Sequence, residues 1–456
     1  RQRMMPILLA ISLLAAVPPI DPPTRQLVRD IYQQLVEINT TESVGNMTTA
    51  AEAMAARLRA AGFPDSDIHV LGPEPRHGNL VARLRGSGAK KPLLLLAHLD
   101  VVEARREDWT TDPFKLVEQD GWFYGRGSGD DKAMASIWIA TLIRLKQEHF
   151  VPDRDIVVAL TSDEETGNYN GVDWLVKNHR DLIDASLAIN EGGGGASRDG
   201  KYLYNGVGAS EKVYVTFALT VRNKGGHSSV PQKPNAIYQL ANAVTKLANY
   251  DFPVKLNEVT RAYFSRLGDI EGGQMGADMK ALATTGDPAA AARVAQTPAF
   301  NARMRTTCVA TRLDAGHADN ALPQMAKATV NCRVLPGEDP EEVHGTLVRV
   351  IDDPAVEVSW IDKAKPSEPS PLSAEIMGPV EQLTKDFWSV PVVPSMGTGA
   401  SDSLYLRNAG IPTYGISGLF GDINENRAHG KDERVGVKQF YDSAQYLYSL
   451  VKKFAS

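Results

Sequence analysis

The stretch Ile156-Val157-Val158-Ala159-Leu160-Thr161-Ser162-Asp163-Glu164-Glu165 sets an unbroken apolar run directly before three carboxylates. A run this short and this apolar reads as a strand buried on both faces. Two upstream segments follow the same plan. Pro92-Leu93-Leu94-Leu95-Leu96-Ala97 leads into His98-Leu99-Asp100, and Tyr124-Gly125-Arg126-Gly127 leads into Asp130-Asp131-Lys132. Open α/β sheets place their sites at the C-terminal ends of parallel strands. Carboxylates and imidazoles gathered there are costly to bury unless a cation collects them. The pattern therefore points to a metal site.

Working outward, apolar runs alternate with helical spacing. Leu27, Ile31 and Leu35, then Ala51, Met54 and Leu58, recur at helical intervals between Thr24 and Gly62. Helices are predicted over 133–146 and 172–178 and a strand over 187–190, which implies a largely parallel sheet covered on both faces. Near Gly208 the pattern changes. Val213, Val215, Phe217, Leu219 and Val221 alternate with polar residues, as in a strand with one wet face. A helix over 235–247, a second alternating run over 326–335 and a helix over 340–351 complete a small α+β layer. The stretch 250–316 is weakly patterned and rich in Ala, Thr and Gly, and predicts a helical insertion in that second layer. From Leu372 the first pattern resumes, with helices over 376–387 and 437–454 and a short strand over 412–416. The expected architecture is α/β: a mainly parallel sheet sandwiched by helices, formed by 21–210 and 365–456, with a smaller α+β domain inserted at 211–364.

The 456 residues give room for two domains, and the formal charge of -6 without a basic stripe excludes a nucleic-acid partner. Only two cysteines occur, Cys308 and Cys332. No thiolate zinc cluster or disulfide scaffold is possible; one bridge and two free thiols both remain open. Arg1 and Arg3 precede an apolar segment from Pro6 to Val17, the pattern of a secretory signal over residues 1–20. That reading implies an exported, periplasmic or secreted protein with no membrane segment in its mature form.

A two-metal hydrolase needs a carboxylate able to bridge both ions, nitrogen and oxygen ligands on each, and a base for water. His98, Asp130, Glu165, Glu191 and His429 come from separate segments and supply such a set, leaving Glu164 as base. Asp100 could hold the second nitrogen of His98. His69, His77, His149, His179, His317 and His344 fit no ligand position and read as structural.

This ordered set resembles the aminoacylase/carboxypeptidase family of di-zinc metallopeptidases, which includes glutamate carboxypeptidase, succinyl-diaminopimelate desuccinylase and carnosinase. His98-Leu99-Asp100-Val101-Val102, Trp109, Pro113-Phe114, Asp120-Gly121 and Tyr124-Gly125-Arg126-Gly127 most resemble the carboxypeptidase S and N-acyl-amino-acid hydrolase branch. The resemblance implies two Zn2+ per subunit, with Co2+ or Mn2+ as substitutes. Asp130 would bridge them, His98 and Glu191 would complete one, and Glu165 and His429 the other. Glu164 would act as general base and then acid, beside a cis Asp130–Asp131 peptide. Lys132-Ala133-Met134 departs from the pattern, since many relatives carry Gly after the Lys. The inserted domain is similar to a lid through which two chains form a homodimer. There His227, in Gly225-Gly226-His227-Ser228-Ser229, would reach the partner's site and steady the oxyanion. Asn320 and Arg333 would grip a substrate carboxylate, and Gly399, in Gly397-Thr398-Gly399-Ala400-Ser401-Asp402, would line the pocket. The implied substrate is a small peptide or an N-acyl amino acid cut beside its free carboxylate. The alternatives are a dipeptidase or aminopeptidase that reads the free amine and, remotely, a metal-bearing binding protein without turnover.

Overall fold

Leu93–His98 and Ile156–Thr161 lie side by side, parallel, with His98 opposite Thr161. Leu187–Asn190 pairs parallel on the other side of Leu93–His98, and Thr413–Gly415 runs parallel beyond it. These strands form the middle of a ten-stranded sheet. His98, Thr161 and Asn190 therefore end on the same edge. In this computed structural model residues 19–363 and 366–456 are described; residues 1–18, most of the segment read as an export signal, lie outside them.

Alternate side chains serve opposite faces of the sheet. Leu93 and Leu95 join a core with Tyr32, Trp138 and Phe440, whereas Leu94 and Leu96 pack with Leu175, Ile183 and Leu406. Helices Pro22–Glu37, Met47–Ala60, Lys132–Gln147 and Val437–Phe454 contribute to the first core, and Gly171–Asn178 and Ser403–Asn408 to the second. Burial on both faces is why the strands read as continuous apolar runs. Local chemistry sets the helix starts: the Asp21 carboxylate accepts the Thr24 N–H at 3.0 Å and Pro22 opens the first turn. Gly415 meets a steric demand, because a Cβ there would lie 2.5 Å from the carbonyl oxygen of Glu191. The α/β fold class expected from the sequence is present.

The smaller sheet is antiparallel, in the order Thr307–Ala315, Met325–Val334, Val213–Arg222, Val356–Lys363. Helices Ala236–Ala248 and Pro340–Ile351 cover one face around Phe217, Leu240 and Leu347. Cys308 and Cys332 are register partners across two strands of this sheet and form a disulfide, which resolves the alternative left open by the sequence.

One expectation needs correction. The stretch 250–316 does carry four helices, Glu258–Glu271, Gly273–Thr285, Pro288–Val294 and Pro298–Met304, and then the strand Thr307–Ala315. The helices, however, do not thicken the small layer. Tyr263, Phe264, Leu267, Met279 and Leu282 cluster with Val393, which lies on the large-sheet strand Val392–Gly397. Arg266 seals that contact, donating to the Val392 carbonyl and the Glu381 carboxylate, both at 2.8 Å. Their apolar face finds its complement on the first sheet.

Arg407 ties both crossings between the sheets. Its guanidinium donates to Glu211 at 3.1 Å, where the strand Lys201–Glu211 leaves the large sheet, and to Ser370 at 3.0 Å on the return path. Among the described residues, no helix is long and apolar enough to cross a membrane.

Candidate metal centre

His98 ends its strand with its ring buried. Nδ1 lies 2.9 Å from the Asp100 main-chain carbonyl, which can only accept, so Nδ1 carries the proton. That leaves Nε2 as the nitrogen a cation would take, displacing its proton. Nε2 faces Asp130 Oδ1 at 3.1 Å and Glu191 Oε1 at 3.7 Å. The other Asp130 oxygen faces His429 Nε2 at 3.2 Å, and Glu165 Oε1 lies 2.8 Å from that same nitrogen. One carboxylate thus presents one oxygen to each of two imidazoles. The Asp130–Asp131 peptide is cis. His98, Glu164 and Glu191 bring ligand atoms within 4.8 Å of one another, as do His98, Asp130 and Glu165.

These groups cannot all ionise among themselves. Burial drives Glu164 up to about 9, with Asp402, Glu165 and Asp100 adding to the push against His98. Burial also raises Glu165 and Glu191, and Asp130 adds to both. Burial opposes charge on His98, but its bonds to Asp100 and Asp130 overcome it and hold the imidazolium well above the usual range. The bond to Asp130 holds His429 at about 9. Crowded carboxylates and imidazoles forced to share protons form a donor set that suits divalent cations. Their all N/O chemistry suits zinc and also cobalt or manganese.

Asp100 differs from expectation in detail. The short bond to His98 comes from its main-chain carbonyl, while its carboxylate stands 3.5 Å from Nδ1. The carboxylate instead accepts the amide N–H groups of Glu164 at 3.1 Å and Glu165 at 2.8 Å. It pins the turn that aims both glutamates. On the other side of that turn Asp163 adopts φ 58°, a left-handed conformation that disfavours side chains. His77 Nδ1 at 2.8 Å and the Tyr169 amide at 3.0 Å hold its carboxylate. The sequence offered His77 no role beyond a structural one.

Residues 94–453 match the sequence model of peptidase family M20/M25/M40. The chain belongs to that family. It is an amide-bond hydrolase of the metallopeptidase type. It is 31% identical over 384 residues to "Probable carboxypeptidase S-like 2" of Dictyostelium discoideum, covering 79% of this chain and 71% of the relative. It is 30% identical to N-fatty-acyl-amino acid synthase/hydrolase PM20D1 of Xenopus tropicalis, covering 79% and 72%. Mouse aminoacylase-1 is 24% identical over 96% of this chain and 97% of the relative. Among solved structures, the M20 family metallo-carboxypeptidase Sso-CP2 from Sulfolobus solfataricus shares the fold, with TM-score 0.69, 18% identity, and coverage of 96% and 100%. Human carnosine dipeptidase 1 does so at TM-score 0.62 and 14% identity, covering 96% and 100%.

In this M20 chain the residues expected of a lid, His227, Asn320 and Arg333, make no hydrogen bond or ion pair with the cluster among the described residues. His227 is exposed on a two-residue strand, Gly226–His227, paired with Ala321–Leu322. The Ser228 amide donates to the Asn320 carbonyl at 3.0 Å, so His227 and Asn320 share one ribbon. Among the described residues, no hydrogen bond or ion pair joins His227 to the metal cluster. Arg333 lies on the small sheet with its guanidinium 4.7 Å from the Tyr214 ring, and among the described residues no carboxylate pairs with it. Gly399 sits in open space, where a Cβ would meet nothing within 4 Å. Within the same loop Ser401 donates to Glu211 at 2.5 Å, and Asp402 is buried against Asn170 at 2.6 Å. Arg126, from the quoted Tyr124-Gly125-Arg126-Gly127, and Glu433, four residues after His429, pair in the interior beside the cluster at 2.7 Å.

Proposed function

We propose that this M20 family member cuts the amide bond next to a free carboxylate in small peptides or N-acyl amino acids, using two zinc ions. His98 and Glu191 would hold one ion, Glu165 and His429 the other, with Asp130 between them. The observation that carries this reading is the Asp130 carboxylate, with one oxygen toward each imidazole. Bound there, a zinc pair supplies Lewis acidity to the scissile carbonyl and acidity to water.

The chain's own residues do the rest. Glu164, a buried carboxyl that bound cations would return to its ionised form, takes a proton from the attacking water and hands it to the leaving amine as the C–N bond breaks. Asp100 keeps that carboxyl aimed through the Glu164 and Glu165 amides. Arg333, without an acidic partner among the described residues, is suited to a substrate carboxylate through its planar fork. A cavity of about 610 Å³ adjoins Asp130 and Glu191 and is lined both by apolar residues, among them Met134, Ile137, Phe420 and Leu447, and by charged ones, among them Glu425, Arg427 and Arg434.

Dimerisation through the lid and supply of His227 in trans belong to the same proposal. They draw support from the outer strand Thr307–Ala315, with Val309 and Leu313 exposed, and from Tyr238 exposed on the neighbouring helix. Export draws support from the Cys308–Cys332 disulfide, which suits an oxidising compartment. The deciding experiment is a hydrolysis screen of the zinc-loaded protein on N-acyl amino acids and dipeptides, each paired with its C-terminal amide. Cleavage of the free acids alone is expected. Equal cleavage of the amides would remove the carboxylate from recognition and favour the aminopeptidase reading.

A further inference from the structure

Two main-chain turns deliver the residues that share the second cation: one ends at Asp130, the other begins at His429. Arg126 stands four residues before Asp130, and Glu433 four residues after His429. Their side chains are each 3% exposed and meet at 2.7 Å. Each reaches across to the other's turn. Glu433 Oε2 accepts the Gly127 amide at 3.0 Å, and Oε1 accepts the Gly129 amide at 2.8 Å and the Asp130 amide at 3.1 Å. Arg126 Nη2 donates to the carbonyls of Gly430 at 3.0 Å and His429 at 3.5 Å, and to that of Glu103 at 3.3 Å. The Glu433 carboxylate thus gathers the amides leading into Asp130, and the Arg126 guanidinium gathers the carbonyls leading out of His429. Backbone reinforces the exchange, since the Gly125 amide donates to the Glu433 carbonyl at 3.1 Å. Gly127 is left-handed at φ 77°, and a Cβ there would lie 2.6 Å from Val101 Cγ1, so the turn has little freedom to relax.

A buried ion pair is a poor source of stability, because desolvation offsets most of its attraction. What this pair does supply is geometry: a fork and a carboxylate engage both turns at fixed spacing. We propose that Arg126 and Glu433 form a reciprocal clamp that sets the separation and aim of Asp130 and His429, and thereby the affinity for the divalent cation those two residues share. Both are positioning residues; neither touches cation or substrate. This rests on the metal reading of the site.

The test is a Co2+ titration of the chelator-stripped, full-length protein, read by visible absorption and by competition with a chromophoric chelator. The wild type is expected to take up two Co2+. Glu433→Gln keeps the shape but turns one acceptor oxygen into a donor facing backbone N–H groups. It should weaken one of the two Co2+ steps by about 10–100-fold and change the corresponding band. Arg126→Lys keeps the charge but cannot fork to Glu433 and the Gly430 carbonyl together, and should weaken the same step while Arg126→Met weakens it further. A merely structural pair would lower the melting temperature and leave Co2+ affinity and spectrum alone. Wild-type affinity and bands in folded Glu433→Gln, or in Arg126→Lys should the first variant not fold, overturn the clamp. Failure of the wild type itself to bind Co2+ overturns the metal reading beneath it.

Discussion

Asp100→Asn separates two accounts of how the Glu164–Glu165 turn is built. In the structure each Asp100 oxygen accepts one main-chain amide, from Glu164 at 3.1 Å and Glu165 at 2.8 Å. Asparagine keeps the volume and one acceptor, but its NH2 faces the second amide as donor against donor. A hydrogen bond to a charged group contributes about 1.5–3 kcal/mol, and a buried N–H left unpaired costs about 1–3 kcal/mol. The two overlap, so about 2–4 kcal/mol of stability should disappear. The assay is denaturant unfolding of chelator-stripped protein, where the midpoint should fall at unchanged slope. Turnover of the zinc-loaded variant should drop about 10–100-fold, because both glutamates lose their aim. The His98 tautomer should survive, since Nδ1 donates to the main-chain carbonyl of residue 100, which the substitution leaves in place. A variant within about 0.5 kcal/mol of wild type would refute the pinning role. A switched His98 tautomer, read from 15N shifts, would instead restore the simpler view in which the Asp100 side chain holds the imidazole.

Glu164→Gln should keep its metal, measured by elemental analysis, and lose about 10²–10⁴-fold in turnover; normal turnover would remove Glu164 from proton transfer. Chelator-stripped protein should become less stable as pH rises from about 4.5 to about 7. Burial lifts Glu164 from 4.5 to about 9 and Asp402 from 3.8 to about 7, so the folded chain holds protons in that window that the unfolded chain has released. A melting temperature that climbs over the same range would contradict this sign. His227→Ala and Glu164→Ala chains, each inactive alone, should regain activity when mixed, and a mixed dimer of confirmed composition without activity would place His227 outside the partner's site.

The sheet was legible because both of its faces are covered. Leu93 to Ala97 and Ile156 to Leu160 read as continuous apolar strings only because Leu93 and Leu95 face one core and Leu94 and Leu96 the other. The small sheet was legible for the opposite reason: one covered face leaves the alternation of Val213, Val215, Phe217, Leu219 and Val221 intact. The helices between 258 and 304 were legible as helices but not in their placement. Their partner, Val393, lies about a hundred residues downstream, and amphipathic spacing states that a face is buried without saying against what.

The ligands were legible one at a time: His98 at the end of its strand, Glu165 and Glu191 in the turns that follow strands, and Asp130 and His429 each beside a glycine in a longer connection. Their supports were not, because hydrogen-bond partners carry no periodicity. His77 reaches Asp163 across 86 residues, Asp100 reaches Glu165 across 65, and Arg126 reaches Glu433 across 307. Two of the supports share a feature that the ligands lack. Asp100 and Glu433 are buried acids whose oxygens are filled by main-chain amides or by the Arg126 guanidinium. Glu165 and Asp130 offer their oxygens to histidine nitrogens. An acid already satisfied by backbone has little left to give a metal, whereas one that meets only imidazole retains lone pairs for a cation. The acids of this chain therefore divide into ligands and scaffolding by what fills their oxygens, a distinction that sequence spacing cannot draw.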